Sequence, residues 1–186
     1  MTTPAAPARW SLPTIALHWL SALVILALVV LGWAMLRLFG AAMRFDLYQL
    51  HKSLGVLALA LYAARLVARA LTKAPPPFPG PSWEMRAARV THWALYALTG
   101  VAILAGWLTA SSAPLPIPTI VFGLFPWPDI APRDPGVFAV VSTVHAWAAY
   151  GLGALVALHA GAAVKHALWD RDGVMRRMVP QSRRTR

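Results

Sequence analysis

The sequence predicts an all-α membrane protein, a bundle of four transmembrane helices with both termini on the cytoplasmic side. Three observations carry this. Hydrophobic residues make up 59% of the 186-residue chain and charged residues only 12%, and mean hydropathy is +0.59, a balance that soluble domains seldom reach. Four stretches are apolar and long enough, at about 1.5 Å of rise per helical residue, to cross roughly 30 Å of bilayer hydrocarbon. Lys and Arg are unevenly shared: thirteen fall on the side of the N-terminus, the Pro-rich loop and the tail, and four (Arg37, Arg44, Lys52, Arg133) on the other. Basic residues near span ends mark the cytoplasmic side. The formal charge of +11 is therefore read as topology. Nucleic acid is not an expected partner, because the basic residues flank apolar spans instead of covering one soluble face. The chain has no cysteine, which excludes disulfides, thiolate-bound metals and covalent c-type haem attachment.

Residues 1–12 form a short polar start that ends in Arg9 and Trp10. Span 1 covers about 13–36. Pro13 suits a first helical turn, and the run is too long for the apolar region of a secretory signal. It carries His18. A turn with Arg37, Gly40, Arg44 and Asp46 leads to span 2, about 47–71, which has His51 at its start and Arg65 and Arg69 at its far end. Long basic side chains there can reach the membrane surface. The segment K-A-P-P-P-F-P-G-P-S cannot be helical and makes a stiff loop. Ser82 is the expected cap of span 3, about 83–110, which carries His92 and, near its end, Trp107 as an interface anchor. Residues 111–136 form a long Pro-rich connection. Its apolar residues (Ile120, Val121, Phe122, Leu124, Phe125, Trp127) predict that it packs on the end of the bundle. Span 4 covers about 137–169, and a basic tail occupies 171–186. The whole chain, 1–186, reads as a single domain without internal repeat.

Span 4 organises the rest. From Val137 to Val164 it has no charged residue, and it carries His145, His159 and His166, three of the six histidines. At 100° per residue all three lie on one helix face, with His145 and His159 about 21 Å apart. Histidine inside a membrane span is costly and faces a protein partner. The alternating direction of the spans places His51 and His145 at one outer level. It places His18 and His159 at one inner level, with His92 and His166 as competitors there. Two histidines facing each other at one depth form a bis-imidazole site. Haem iron takes axial histidines, and bundle cores hold such cofactors. Gly55, Gly151, Gly153, Ala157 and Gly161 would leave room for a flat macrocycle, although small residues also serve helix packing. Zinc or copper fits less well, because no carboxylate or thiol lies inside a span to complete a ligand set.

The residues around these histidines form a pattern: L-H-W at His18, H-K-S-L-G-V at His51 with Arg65 and Arg69 beyond it, and H-W-A-L-Y at His92 followed by G-W-L-T-A-S-S. F-G-L-F-P-W-P stands in the long loop, H-A-W and L-H-A-G-A-A-V-K-H in span 4, and M-V-P in the tail. In this the chain resembles the bacterial cytochrome b561 family, which includes cytochrome b subunits of Ni/Fe hydrogenases. The likeness covers nearly the whole chain in order. It implies four transmembrane helices in the inner membrane and two b haems with axial ligands at His18, His51, His145 and His159. It implies quinone as electron partner, with ubiquinone the expected substrate. In one branch it implies superoxide as the periplasmic donor, and there the histidine of span 3 is not an axial ligand.

The expected function is membrane electron transfer between an outer donor, superoxide in the sharper version, and quinone. The alternative is a cytochrome b anchor subunit that takes electrons from a partner dehydrogenase or hydrogenase. Ion or metal transport is a weaker reading, since the acids all fall at span ends or in loops. Lys52, Arg37 and Arg44 near His51 could steer a small anion. Arg65, Arg69 and Arg89, with Lys52 on the outer side, are candidates to pair with haem propionates. A quinone site is expected on the cytoplasmic side at His166, with Lys165 and His92 close to its level. Quinone needs hydrogen-bond donors and protons, and an imidazole titrates near neutrality.

Overall fold

Four long helices follow one another: α1 (Leu12–Arg37), α2 (Ala41–Leu71), α3 (Ser82–Ser112) and α4 (Pro135–Lys165). The computed structural model describes residues 9–37, 41–76 and 80–180, with the backbone alone at positions 41, 42 and 44. Each helix contains a segment long and apolar enough to cross a membrane.

Local chemistry sets the helix ends. The Ser11 hydroxyl accepts from the Thr14 N–H at 3.4 Å in the first turn of α1. The second helix begins at Ala41, ahead of the expected residue 47. The stretch A-A-M-R-F-D contains no helix breaker, so the helix outlasts the apolar run. At the start of α3 the expectation for Ser82 is corrected. Pro81 takes the cap position, with φ −56° and ψ 140°, and Ser82 lies inside the helix. Proline has a fixed φ and no N–H to satisfy, so it takes the boundary without a side-chain cap. The same helix runs past the expected residue 110 because Ser111 and Ser112 donate to their own helix, to the carbonyls of Trp107 (2.9 Å) and Leu108 (2.7 Å). Asp134 caps α4, accepting from the N–H groups of Gly136 (2.7 Å) and Val137 (3.0 Å). Pro135 occupies the first helical position, where its missing N–H costs nothing.

The first helix packs mainly on α2, and α3 on α4. The buried centre is small: Ala102 of α3 with Ala148 and Leu152 of α4, flanked by Ile25, Leu95, Leu98 and Val156. Small side chains let the backbones approach where no water drives association. Large apolar residues point outward instead; Val140 is 63% and Trp147 73% exposed. In water such a surface would be one continuous apolar patch. In lipid it is solvated, as the four apolar spans require.

The connection from α3 to α4 closes one end of the bundle. Within this Pro-rich segment lies a short antiparallel hairpin, β1 (Thr119–Val121) and β2 (Phe125–Trp127), with Val121 opposite Phe125. Phe122 (φ 48°) and Gly123 (φ 74°) turn the chain, and the Leu124 N–H donates to the Val121 carbonyl at 2.9 Å. Two successive positive φ values make the turn whose twist suits a hairpin. As expected, the segment packs on the bundle. Ser53 of α2 accepts from the Phe122 N–H at 2.9 Å. Gln49 donates to the Pro118 carbonyl at 2.9 Å and accepts from the Ile120 N–H at 3.3 Å. Trp107 donates to the Pro128 carbonyl at 2.9 Å.

At the opposite end, α4 runs into a π-helical turn, His166–Asp170. Arg171 (φ 50°) and Gly173 (φ 85°) reverse the chain into a 3₁₀ turn at Met175–Met178. Trp19 donates to the Met178 carbonyl and the Arg177 guanidinium to that of Pro76, each at 2.7 Å. The rest of the basic tail, 181–186, lies outside the described residues.

Candidate cofactor site: two histidine pairs inside the bundle

Near the hairpin end, His51 of α2 faces His145 of α4. Their ring centres are 6.1 Å apart with planes at 89°. The Nδ1 of His145 lies 2.8 Å from the carbonyl oxygen of Ala102. A carbonyl only accepts, so Nδ1 carries the proton, and in a neutral ring Nε2 is the nitrogen with the lone pair. Two glycines accommodate these rings. A Cβ at Gly106 of α3 would come within 2.9 Å of the His145 ring, and one at Gly32 of α1 within 3.3 Å of His51. The buried Nδ1 of His51 has no hydrogen-bond partner among the described residues. An orphaned buried nitrogen costs about 1–3 kcal/mol.

About four turns further towards the tail end, His159 of α4 meets two rings. His18 of α1 stands 6.2 Å away, centre to centre, at 72°. His92 of α3 stands 5.3 Å away at 68°. The charge of Arg65 on α2 is felt by all three. Its guanidinium lies over the Tyr96 ring at 5.3 Å, and Arg69 lies over Trp10 at 5.5 Å. The structure therefore brings together both predicted pairs and keeps His92 as a neighbour of the inner one.

The other predicted residues fall as follows. Lys52 reaches the carbonyls of Pro118 (3.1 Å) and Ile117 (3.5 Å) and ties the long loop to α2. Arg37 and Arg89 are exposed, and the Arg44 side chain lies outside the described residues. His166 lies at the foot of α4 with Nδ1 at 2.7 Å from Asp172 and 3.0 Å from Asp170. Lys165 pairs with Asp170 (2.7 Å) and Glu84 (3.3 Å). Among the small residues, a Cβ at Gly55 would meet nothing within 4 Å, so open space lies one turn from His51. Gly161 also faces open space but is exposed, as is Ala157. Gly151 and Gly153 instead sit in ordinary contact range of Leu98 and Val29, at 3.4 and 3.5 Å, and serve helix packing. Sequence reasoning missed Gly32, Gly106 and the Ala102 carbonyl. A glycine within an apolar span carries no mark of the ring it accommodates, and a backbone acceptor has no sequence signal.

The profile of prokaryotic cytochrome b561 matches residues 9–181. The chain belongs to the prokaryotic cytochrome b561 family. Among its relatives is cytochrome b561 homolog 2 of Escherichia coli K12, 32% identical over 98% of this chain and 97% of that protein. The probable superoxide oxidase CybB of Yersinia pestis is 30% identical over 94% of this chain and 98% of its own. Cytochrome b561 homolog 1 of Escherichia coli K12 is 28% identical over 93% and 98%. Prokaryotic cytochrome b561 proteins are membrane electron-transfer proteins that bind haem b.

The histidine pairs fit such a cofactor. Imidazole nitrogen binds a first-row metal at about 2.0–2.1 Å, and the ring centre lies roughly 1.1 Å behind it, so two imidazoles on opposite sides of one ion have centres about 6.2 Å apart. The 6.1 Å and 6.2 Å pairs match this separation. The 5.3 Å between His92 and His159 is too short for it. At the outer pair the donor chemistry also fits, since the Ala102 carbonyl engages Nδ1–H of His145 and leaves Nε2 as the nitrogen that could bind a metal.

Proposed function

We propose that this cytochrome b561 is a di-haem b electron-transfer protein of the prokaryotic inner membrane that passes electrons from an outer donor, superoxide, to membrane ubiquinone. The observation that carries the reading is the two histidine pairs, one towards each end of the bundle, at separations of 6.1 and 6.2 Å. His51 with His145 would hold the outer haem, and His18 with His159 the inner one. Haem supplies reversible one-electron chemistry, and the protein supplies axial ligation, burial and nearby charge.

The distribution of Lys and Arg supports placing the tail end in the cytoplasm. Arg65 beside the inner histidines is well placed to balance an anionic propionate, as are Arg69 and Arg89 nearer the surface. Lys52 and Arg37 give the hairpin end positive charge that would attract a small anion. Similarity to a probable superoxide oxidase supports superoxide as that anion. At the cytoplasmic end, His166 lies about 10.5 Å along the helix from His159. It offers a hydrogen-bond donor to a quinone arriving from the bilayer, with Lys165 and His92 on the same side.

A pyridine haemochrome assay on purified protein, combined with single His→Ala variants, tests the cofactor assignment. Two b haems per chain are expected, falling to one on loss of His51 or His145 and to one on loss of His18 or His159. Retention of two haems in all four variants would reject it. Superoxide consumption by the lone protein, coupled to ubiquinone reduction, tests the donor.

A further inference from the structure

The proposed quinone contact, His166, is not held by α4 alone. At this residue the helix widens into a π turn, a distortion frequent at functional sites. Arg171 (φ 50°) and Gly173 (φ 85°) then reverse the chain. The reversal brings Asp172 back under the imidazole, with Oδ2 2.7 Å from His166 Nδ1. The second oxygen of Asp172, Oδ1, accepts from the Val174 N–H at 3.0 Å, so the carboxylate is fixed from its far side. Asp170 approaches the same nitrogen at 3.0 Å, but its Oδ2 is already held by Lys165 at 2.7 Å, and Lys165 also reaches Glu84 of α3. Among the described residues, Asp172 and Asp170 are the charged groups paired with His166, and Lys165 and Glu84 stand one step further.

These three ligand-type groups, His166, Asp170 and Asp172, lie close enough together to hold a metal ion. The ammonium of Lys165 on Asp170 argues against that use, because a cation already occupies that carboxylate. A carboxylate on one imidazole nitrogen instead fixes the tautomer and the ring orientation and stabilises the imidazolium. The other nitrogen, Nε2, is then free to face a substrate.

We infer that Asp172 is a positioning residue for quinone reduction: it orients His166 so that Nε2 meets a quinone carbonyl and supports the charge while His166 carries a proton. This rests on the quinone site proposed above. Quinone takes up two electrons, delivered singly from the outer donor, and two protons to become quinol. His166 Nε2–H gives one of these protons to a quinone oxygen and regains it from water at the tail end. The second proton comes from the same water. His166 is about one-quarter exposed, which leaves it a route to that water.

The test is single-turnover oxidation of the dithionite-reduced, haem-loaded full chain by a short-chain ubiquinone, with the haem spectrum as a check on folding. In Asp172→Asn the limiting rate falls about tenfold, the half-saturating quinone concentration barely moves, and the solvent deuterium isotope effect rises. Asp172→Glu restores most of the rate. Wild-type rates in Asp172→Asn alongside a slow His166→Ala would overturn the role of Asp172 and leave the quinone site standing. Wild-type rates in both variants would overturn the site as well. Should Asp172→Asn lose its haem spectrum, ¹⁵N-histidine NMR of the wild-type protein decides: a proton on Nδ1 of His166 supports the inference, and one confined to Nε2 refutes it.

Discussion

Ala102 and His145 are joined across the α3–α4 interface by a single hydrogen bond, Nδ1 to carbonyl oxygen, 2.8 Å long. One turn further along α3, Gly106 lies where a Cβ would come within 2.9 Å of the same ring. The imidazole is thus held at one edge by an acceptor and admitted by a missing side chain.

Gly106→Ala should therefore separate helix stability from cofactor binding. Alanine favours a helix over glycine by about 1 kcal/mol, yet the new methyl displaces the His145 ring. The expected outcome is normal expression and thermal stability with haem content near half the wild-type value. Gly32→Ala, where the approach is a looser 3.3 Å, should cost less haem and shift the outer potential instead. Redox titration of both variants checks this order.

His92→Ala should keep the full haem content. Its ring is 5.3 Å from His159, too near to share an ion with it on opposite faces. His18→Ala should lose the inner haem. A pair of haem-to-protein ratios is sufficient, and inner-haem loss in the His92 variant alone would reverse the assignment.

Ser53 is almost fully buried and accepts from the Phe122 N–H at 2.9 Å. Its hydroxyl donates to the Gln49 carbonyl in its own helix at 2.8 Å. Ser53→Ala would strand the Phe122 N–H, at a cost of about 1–3 kcal/mol. The expected result is a lower unfolding midpoint in detergent and faster proteolysis within residues 114–130, with haem content preserved.

Trp19→Phe keeps an aromatic ring but removes the N–H that meets the Met178 carbonyl at 2.7 Å. The loss is about 1 kcal/mol, concentrated on the tail. Limited proteolysis should cut between residues 171 and 180 sooner, while the four helices stay intact.

What the sequence made legible follows the physics of each feature. The shared face of His145 and His159 was readable because helical rotation is fixed at 100° per residue. The spans were readable because lipid demands uninterrupted apolar length. The hairpin at Thr119–Trp127 was not, since its strands are three residues each and its register depends on Ser53 and Gln49, some seventy positions away. Pro81 in place of Ser82 at the start of α3 shows a different limit. Both residues suit a helix boundary, and a one-residue choice between them depends on the incoming backbone. Asp172 was hidden because its relation to His166 arises from two positive-φ residues in a segment that composition marks only as basic.

His145 and His159 are about 21 Å apart along one helix, roughly two-thirds of the 30 Å or so of hydrocarbon. A charge moved from one level to the other crosses about that share of the transmembrane voltage. At about 2.3 kcal/mol per charge for each 100 mV, an electron travelling inward against a negative cytoplasm forfeits roughly 1.6 kcal/mol per 100 mV. Electron transfer between the two proposed haems would therefore be electrogenic. In sealed vesicles, collapsing the potential with an ionophore should speed inward transfer and slow its reverse.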